Sequence, residues 1–311
     1  MPRLADALDR AFRHALFDDL PDPDGPRDRL LALRRIHALH LAPLDTPDLL
    51  RRSAFAAEPA VALLKASLER DWLGELAGDR PLAPVLEADE VSLRMRSLAA
   101  DGRLPAVYRW LARTASREEA VRFLAYEGGP DADFDDLVAD CQIGLRGAAK
   151  GELARNYWDE MGDGKHTQVH TVLHERMARA LGIEAVSEDD LPAEALARQA
   201  FGGLLATNHH LQPEMIGALG LTELQAGPRC RMVLQAFDRI GVPDDARPFY
   251  EVHAEVDPRH GRDWLDNAVV PLVGEHPEWG PRILRGAQWR KDLNDAFFAW
   301  SFQHLVTAAA A

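Results

Sequence analysis

Phe249-Tyr-Glu-Val-His253-Ala-Glu-Val-Asp257-Pro-Arg-His260 is the stretch that decides how this chain should fold. His253, Asp257 and His260 stand at positions i, i+4 and i+7. With about 100° of rotation per residue in an α-helix, their side chains fall within about 60° of one another. Two imidazoles and a carboxylate on one stripe are ligands that suit iron, although a solvated polar face would share the spacing. The stretch therefore predicts a helix with a metal-binding face, and Pro258 predicts a local distortion of that helix.

A second group of metal-binding residue types lies upstream, in the segment from Glu160 to His170. These two residues are ten positions apart, which in one straight helix is about 15 Å of rise and too far for a shared metal ion. Gly162 and Gly164 offer a break, so that one helix ends near Met161 and another begins near Lys165. His166, His170 and His174 form a row at helical spacing, and spacing alone does not choose among them.

The composition limits the class of protein. The chain has 311 residues, 47% of them hydrophobic, and lacks runs of alternating β-branched residues, so an all-α fold is expected. A net charge of −14 argues against binding to nucleic acid or to an anionic membrane. The two cysteines, Cys141 and Cys230, form no CxxC pair, which argues against a thiolate metal site. The N-terminus lacks the apolar core of a signal peptide, and we expect a cytoplasmic protein.

Proline, glycine and capping signals divide the chain into helical segments. Residues 1–112 contain helices broken at 21–26, 43–47 and 81–84 and are expected to form an N-terminal extension that packs on the core. Residues 113–311 are expected to form the main domain. It opens with Ser116-Arg-Glu-Glu119, a capping box that predicts a helix running to Glu127.

The segment Asn156-Tyr-Trp-Asp-Glu160-Met-Gly-Asp-Gly164, with Val169-His170, and the segment 253–264, HAEVDPRHGRDW, together resemble the haem-oxygenase-like diiron oxidase and oxygenase family, also called iron-containing redox enzymes. The resemblance covers roughly residues 116–305. It implies a haem-oxygenase-like helical bundle that binds two irons in place of haem. The His-x3-Asp-x2-His motif formed by His253, Asp257 and His260 is the most specific part of the match.

The resemblance also implies a set of six iron ligands. The match selects His170 over its neighbours and gives Glu160, His170, His253, Asp257 and His260, with one further Glu on a core helix. Glu127 is the best candidate for that position, and Asp136 and Asp140 compete with it. For Glu214 and Glu223, a role in supporting the ligands or in the structure is favoured over ligation.

The activity implied by the resemblance is that of a non-haem diiron oxygenase or oxidase with two Fe ions and O₂ as co-substrate. Its substrate would be a small amine-, amino-acid- or fatty-acid-like metabolite, and the outcome N-oxygenation, C–C cleavage or desaturation. An external electron donor and a second copy of the chain are further candidate partners. The alternative is a metal-free or haem-binding helical bundle without diiron chemistry. A haem site, however, would need one axial His in an apolar pocket instead of a cluster of acids and imidazoles.

Overall fold

The computed structural model describes residues 3–101, 104–128 and 134–306, and the regular structure in these ranges is helical, with no strand. The all-α class expected from the composition is confirmed. None of the helices in these ranges is long and apolar enough to cross a lipid bilayer. In chain order the α-helices are α1 (Leu4–His14), α2 (Gly25–Leu41), α3 (Leu49–Ser53), α4 (Pro59–Ala77), α5 (Ala88–Ala100), α6 (Ala106–Arg113), α7 (Arg117–Glu127), α8 (Phe134–Cys141), α9 (Gly147–Glu160), α10 (His170–Leu181), α11 (Ala193–Ala206), α12 (Gln212–Ile240), α13 (Pro248–Asp263), α14 (Val270–Glu275) and α15 (Gly280–Ser301).

The start of α7 follows the local signal in the sequence. The hydroxyl of Ser116 accepts a hydrogen bond from the backbone N–H of Glu119, and the Glu119 carboxylate accepts one from the N–H of Ser116 (2.7 Å). This reciprocal pair satisfies two backbone donors that the first turn of a helix leaves without partners. The predicted helix from the capping box to Glu127 is confirmed.

The helices form two compact units, each described by itself. The larger one consists of Leu82–Val186 and His210–Ala311, and its centre is α12, which packs against α13, α15, α5 and α6. Gly217 and Gly286 allow α12 and α15 to approach to backbone contact, since a Cβ at Gly217 would lie 1.8 Å from the carbonyl oxygen of Ile283. A π-helical segment, Trp264–Val269, follows α13, and its buried Trp264 contacts α12 by donating its indole N–H to the Ile216 carbonyl (3.0 Å).

The smaller unit consists of Met1–Pro81 together with Ser187–His209. Within it, α2 packs against α1, α4 and α11. The buried carboxylate of Asp28 on α2 accepts hydrogen bonds from the backbone N–H groups of Leu4 and Ala5, and so caps the first turn of α1. Arg27 connects α2 to the start of the second segment, Ser187–His209. Its guanidinium donates to the carbonyl oxygens of Glu188, Asp189 and Leu191.

These units do not divide near residue 112, where the sequence placed a boundary. Helices α5 and α6 precede that point but pack against α12 and α15. Conversely, α11 lies far along the chain but packs against α2. Proline and glycine mark where helices end, but which helices pack together depends on contacts between residues distant in sequence.

Candidate metal centre

The turn between α9 and α10 brings Glu160 and His170 together. Helix α9 ends at Glu160, two 3₁₀ turns follow (Gly162–Gly164 and His166–Gln168), and α10 begins at His170. The predicted break is confirmed, although the new α-helix starts at His170 instead of near Lys165. Gly162 and Gly164 have φ of +61° and +78°, a conformation in which glycine is favoured. At Gly162 a Cβ would also lie 2.5 Å from the carbonyl carbon of Gln168.

The result of this turn is a close carboxylate–imidazole contact. His170 Nδ1 lies 2.6 Å from Glu160 Oε2, and both side chains are buried. His170 Nδ1 nevertheless has no partner in hydrogen-bonding geometry. The imidazole nitrogen and the carboxylate oxygen thus lie close together without a hydrogen bond between them. Two ligands of one metal ion would be arranged in this way.

Helix α13 presents the other predicted residues. Asp257 and His260 are buried, and His253 is partly buried. The helix continues through Pro258, whose missing N–H leaves the carbonyl of Ala254 without its helical partner. Arg231 of α12 donates to that carbonyl (2.7 Å), which explains why α13 tolerates a proline between two candidate ligands.

Among the residues that the structure describes, five side chains form two groups that could each hold a metal ion. We call Glu160, His170 and His253 subsite A, and Glu160, Glu223 and His260 subsite B. Within each group, one potential ligand atom per residue lies within 4.8 Å of those of the others. Glu160 belongs to both groups, so its carboxylate is placed to bridge two ions.

The histidines differ in which nitrogen is available. His253 Nδ1 donates to the carbonyl of Phe249 (2.6 Å), which leaves Nε2 as the ligand atom. His260 has the opposite arrangement, because its Nε2 lies 2.7 Å from Asp159 Oδ2 while its Nδ1 lies 3.7 Å from Glu223 Oε2. His260 Nδ1 and Asp257 Oδ2 are both buried without a hydrogen-bond partner. Buried polar atoms normally have partners, so these orphaned atoms indicate a cation-binding site.

The electrostatics of the cluster agree with this interpretation. Burial, together with the charges of Glu223 and Glu160, raises the pKa of Asp257 well above its ordinary value. Burial opposes protonation of His260, but the carboxylates of Glu223 and Asp159 outweigh it and raise the pKa of His260 to about 9. Burial and the nearby His170 lower the pKa of His253. A buried carboxylate whose pKa is raised by neighbouring carboxylates is one whose charged form a metal cation would stabilise.

Glu127, predicted from the resemblance, is buried at the end of α7 but belongs to neither group. One of its carboxylate oxygens accepts a hydrogen bond from the Tyr108 hydroxyl. Its role as a ligand therefore stays a prediction. Of the acids on α8, the exposed Asp136 and partly buried Asp140 were the proposed competitors. Burial, the neighbouring Asp136 and then the charge of Glu160 raise the pKa of a third acid, Asp135, to about 6.

Glu223 is the residue that the sequence reasoning missed, because a structural role was favoured for it. It is buried on α12, and it completes subsite B. A signal was present: Glu223 is the one acid in the apolar stretch from 215 to 227, where an uncompensated charge would be costly. The competing histidines lie elsewhere, since His166 is exposed and His174 packs its ring against Phe249 (centroids 5.0 Å apart).

These features define an all-helical protein with a buried carboxylate–imidazole centre. The family model for iron-containing redox enzymes matches residues 121–295, more than half of the chain. The chain belongs to that family, so it is an oxidoreductase for which the family implies iron, and the haem-oxygenase-like fold expected from the resemblance is confirmed. The matched range includes every residue of subsites A and B.

A curated relative falls in the same family. The nitrosourea synthase of Streptomyces achromogenes subsp. streptozoticus is 25% identical to this chain over 234 residues, which are 72% of this chain and 49% of the relative. The chain thus spans about half the length of the curated relative that it matches.

Proposed function

We propose that this protein is a non-haem diiron enzyme that uses O₂ to oxidise or oxygenate a small metabolite. The observation that supports the proposal most directly is the position of Glu160, which contributes to both subsites. A mononuclear site would need one group, and a haem site would need a single axial imidazole. Asp257 extends the set, since its charge couples to those of Glu223 and Glu160.

Each subsite has a defined set of residues to hold iron. Glu160, His170 and His253 would hold one ion, and Glu160, Glu223 and His260, with Asp257 beside them, the other. When bound, two Fe(II) ions would supply electrons for the reduction of O₂. The remaining electrons would come from the substrate or from an external donor.

The side chains set the charge and the proton inventory of the site. Glu160, Glu223 and Asp257 bring three negative charges, one fewer than the four positive charges of two Fe(II) ions. A small positive excess favours a substrate with an anionic group, such as a carboxylate. His260, whose pKa is raised to about 9, must release a proton before it binds metal, and the raised pKa of Asp257 makes its ionisation more favourable when a cation is present.

The substrate class remains that of a small amine-, amino-acid- or fatty-acid-like metabolite. Among N-oxygenation, C–C cleavage and desaturation, we favour N-oxygenation. The reason is that the Streptomyces relative is named for a nitrosourea, a compound that contains an oxidised nitrogen. Because the chain spans about half of that relative, the substrate itself is left to experiment.

Anaerobic loading with Fe(II) tests the proposal. We expect close to two irons per chain, no Soret band, and absorbance changes when O₂ is admitted. Candidate amines and amino acids, added in turn, should change the rate at which those absorbance changes decay. Stoichiometric haem binding, or no iron after loading, would overturn the proposal.

A further inference from the structure

Helix α9 supplies more than the shared Glu160 to the centre. Asn156 and Asp159 precede it by four and one positions, so they lie within about 100° of it on the helix surface. Asn156 is 2% exposed, and the Asp159 side chain is 21% exposed. Both side chains contact residues of subsite B that other helices contribute.

Asn156 fixes the orientation of the Glu223 carboxylate. Its Nδ2 donates to Glu223 Oε1 at 2.7 Å. The other oxygen, Oε2, is the one that faces His260 Nδ1. The Asn156 amide thus holds one oxygen of Glu223 and leaves the second directed towards the centre. Without this hydrogen bond the Glu223 carboxylate could rotate.

Asp159 fixes the tautomer of His260. Its Oδ2 accepts from His260 Nε2 at 2.7 Å, so once the imidazolium has lost its other proton to bind metal, the remaining proton lies on Nε2 and the lone pair on Nδ1. Arg259 donates to the same oxygen at 2.9 Å from the solvent side. The contact with the imidazole is the one that orients His260, whose Nδ1 then lies on the side of Glu223.

Subsite A is supported differently. His253 is oriented by the carbonyl of Phe249 on its own helix, and His170 is placed by the turn that follows α9. Neither makes a hydrogen bond to Asn156 or Asp159 in the structure. We infer that Asn156 and Asp159 are positioning residues for subsite B, an inference that rests on the proposed diiron function.

Isosteric variants test the inference without opening a cavity. Asn156→Asp would place a carboxylate oxygen against Glu223 in place of the amide donor, and Asp159→Asn would remove the charge that holds the His260 tautomer. In each variant we expect one iron to bind as in the wild type. The second should bind about 10- to 100-fold more weakly, the range typical for loss of a residue that orients a metal ligand. Anaerobic Fe(II) titration against a competing chelator measures both affinities, and Co(II) absorption spectra show which ligand set has changed.

Two controls separate positioning from a general effect on α9. Glu152→Gln alters a buried carboxylate on the same helix whose partners are Asn267 (3.0 Å) and Arg155 (3.1 Å), and it should leave both affinities unchanged. Arg259→Ala removes the other partner of Asp159 and keeps its contact with His260, so both irons should again bind normally.

The outcomes separate this inference from the proposed function. A wild-type protein that does not bind two irons would overturn both. A wild type with two irons, and variants with two equally tight irons, would overturn the inference alone. Equal weakening of both irons, or the same loss in Glu152→Gln, would also overturn it, because the effect would then belong to helix packing.

Discussion

The turn at Gly162 makes a quantitative prediction possible, because the chain contains glycines that differ in one property at a time. Gly151 lies inside α9 with nothing within 4 Å of an added Cβ, so Gly151→Ala should stabilise the protein by about 0.5–1 kcal/mol. Gly182 has φ of +67° and equally free space, so alanine there should cost about 1–2 kcal/mol from the left-handed backbone alone. Gly162 has the same backbone conformation and also the 2.5 Å approach to the Gln168 carbonyl carbon. Crowding of this kind adds about 1–3 kcal/mol, so Gly162→Ala should cost roughly 2–5 kcal/mol.

Urea unfolding of the four metal-free proteins measures these differences, and Fe(II) titration measures their consequence. We expect Gly162→Ala alone of the three to bind iron poorly, because the shift that relieves its contact moves Glu160 away from His170. Gly164→Ala is an intermediate case, since its Cβ would meet the half-exposed ring of Trp158, which can move. If Gly162→Ala were no less stable than Gly182→Ala, or bound two irons as tightly as the wild type, the account of this turn would be refuted.

Three further predictions concern the acids and the proton inventory. Iron loading at pH 7.5 should release a proton from His260, and the iron affinity should rise by up to about tenfold per pH unit up to pH 9, as pH-indicator and chelator titrations would show. Asp135→Asn should stabilise the metal-free protein by at most about 3 kcal/mol at pH 8, because the raised pKa of Asp135 makes its ionisation unfavourable in the folded state. That gain should shrink as the pH falls through 6 towards 4, and a gain independent of pH would contradict the assignment. Glu223→Gln should lose one iron by metal analysis, and two tightly bound irons in this variant would exclude Glu223 as a ligand. The same measurement on Glu127→Gln tests the ligand that the family resemblance implies.

The parts of the fold and site that local signals encode could be predicted. The capping box at Ser116 fixed the start of a helix, and the two glycines fixed a break after Glu160, because each depends on residues adjacent in sequence. The spacing of His253, Asp257 and His260 placed three side chains on one face of α13, since helical geometry alone determines that outcome. The point at which the chain divides into two units was not predictable in this way, because it depends on which distant helices pack together.

The third carboxylate required the structure, and a comparison within α12 shows why. Glu214 and Glu223 are both buried glutamates on this helix, and for both the sequence favoured a supporting or structural role over ligation. Glu214 has that role: Arg282 donates to both of its oxygens (2.8 and 2.7 Å), and Arg285 adds a third contact. Glu223 instead faces the Asn156 amide, the His260 imidazole and the charge of Asp257. A carboxylate buried for stability is matched by arginines, whereas one buried among other carboxylates leaves negative charge that a cation would balance. That difference makes Glu223 a candidate ligand and Glu214 a structural acid. The single acid in an apolar stretch of α12 marks Glu223 as unusual, but its neighbours come from α9 and α13, which a local pattern in α12 does not specify.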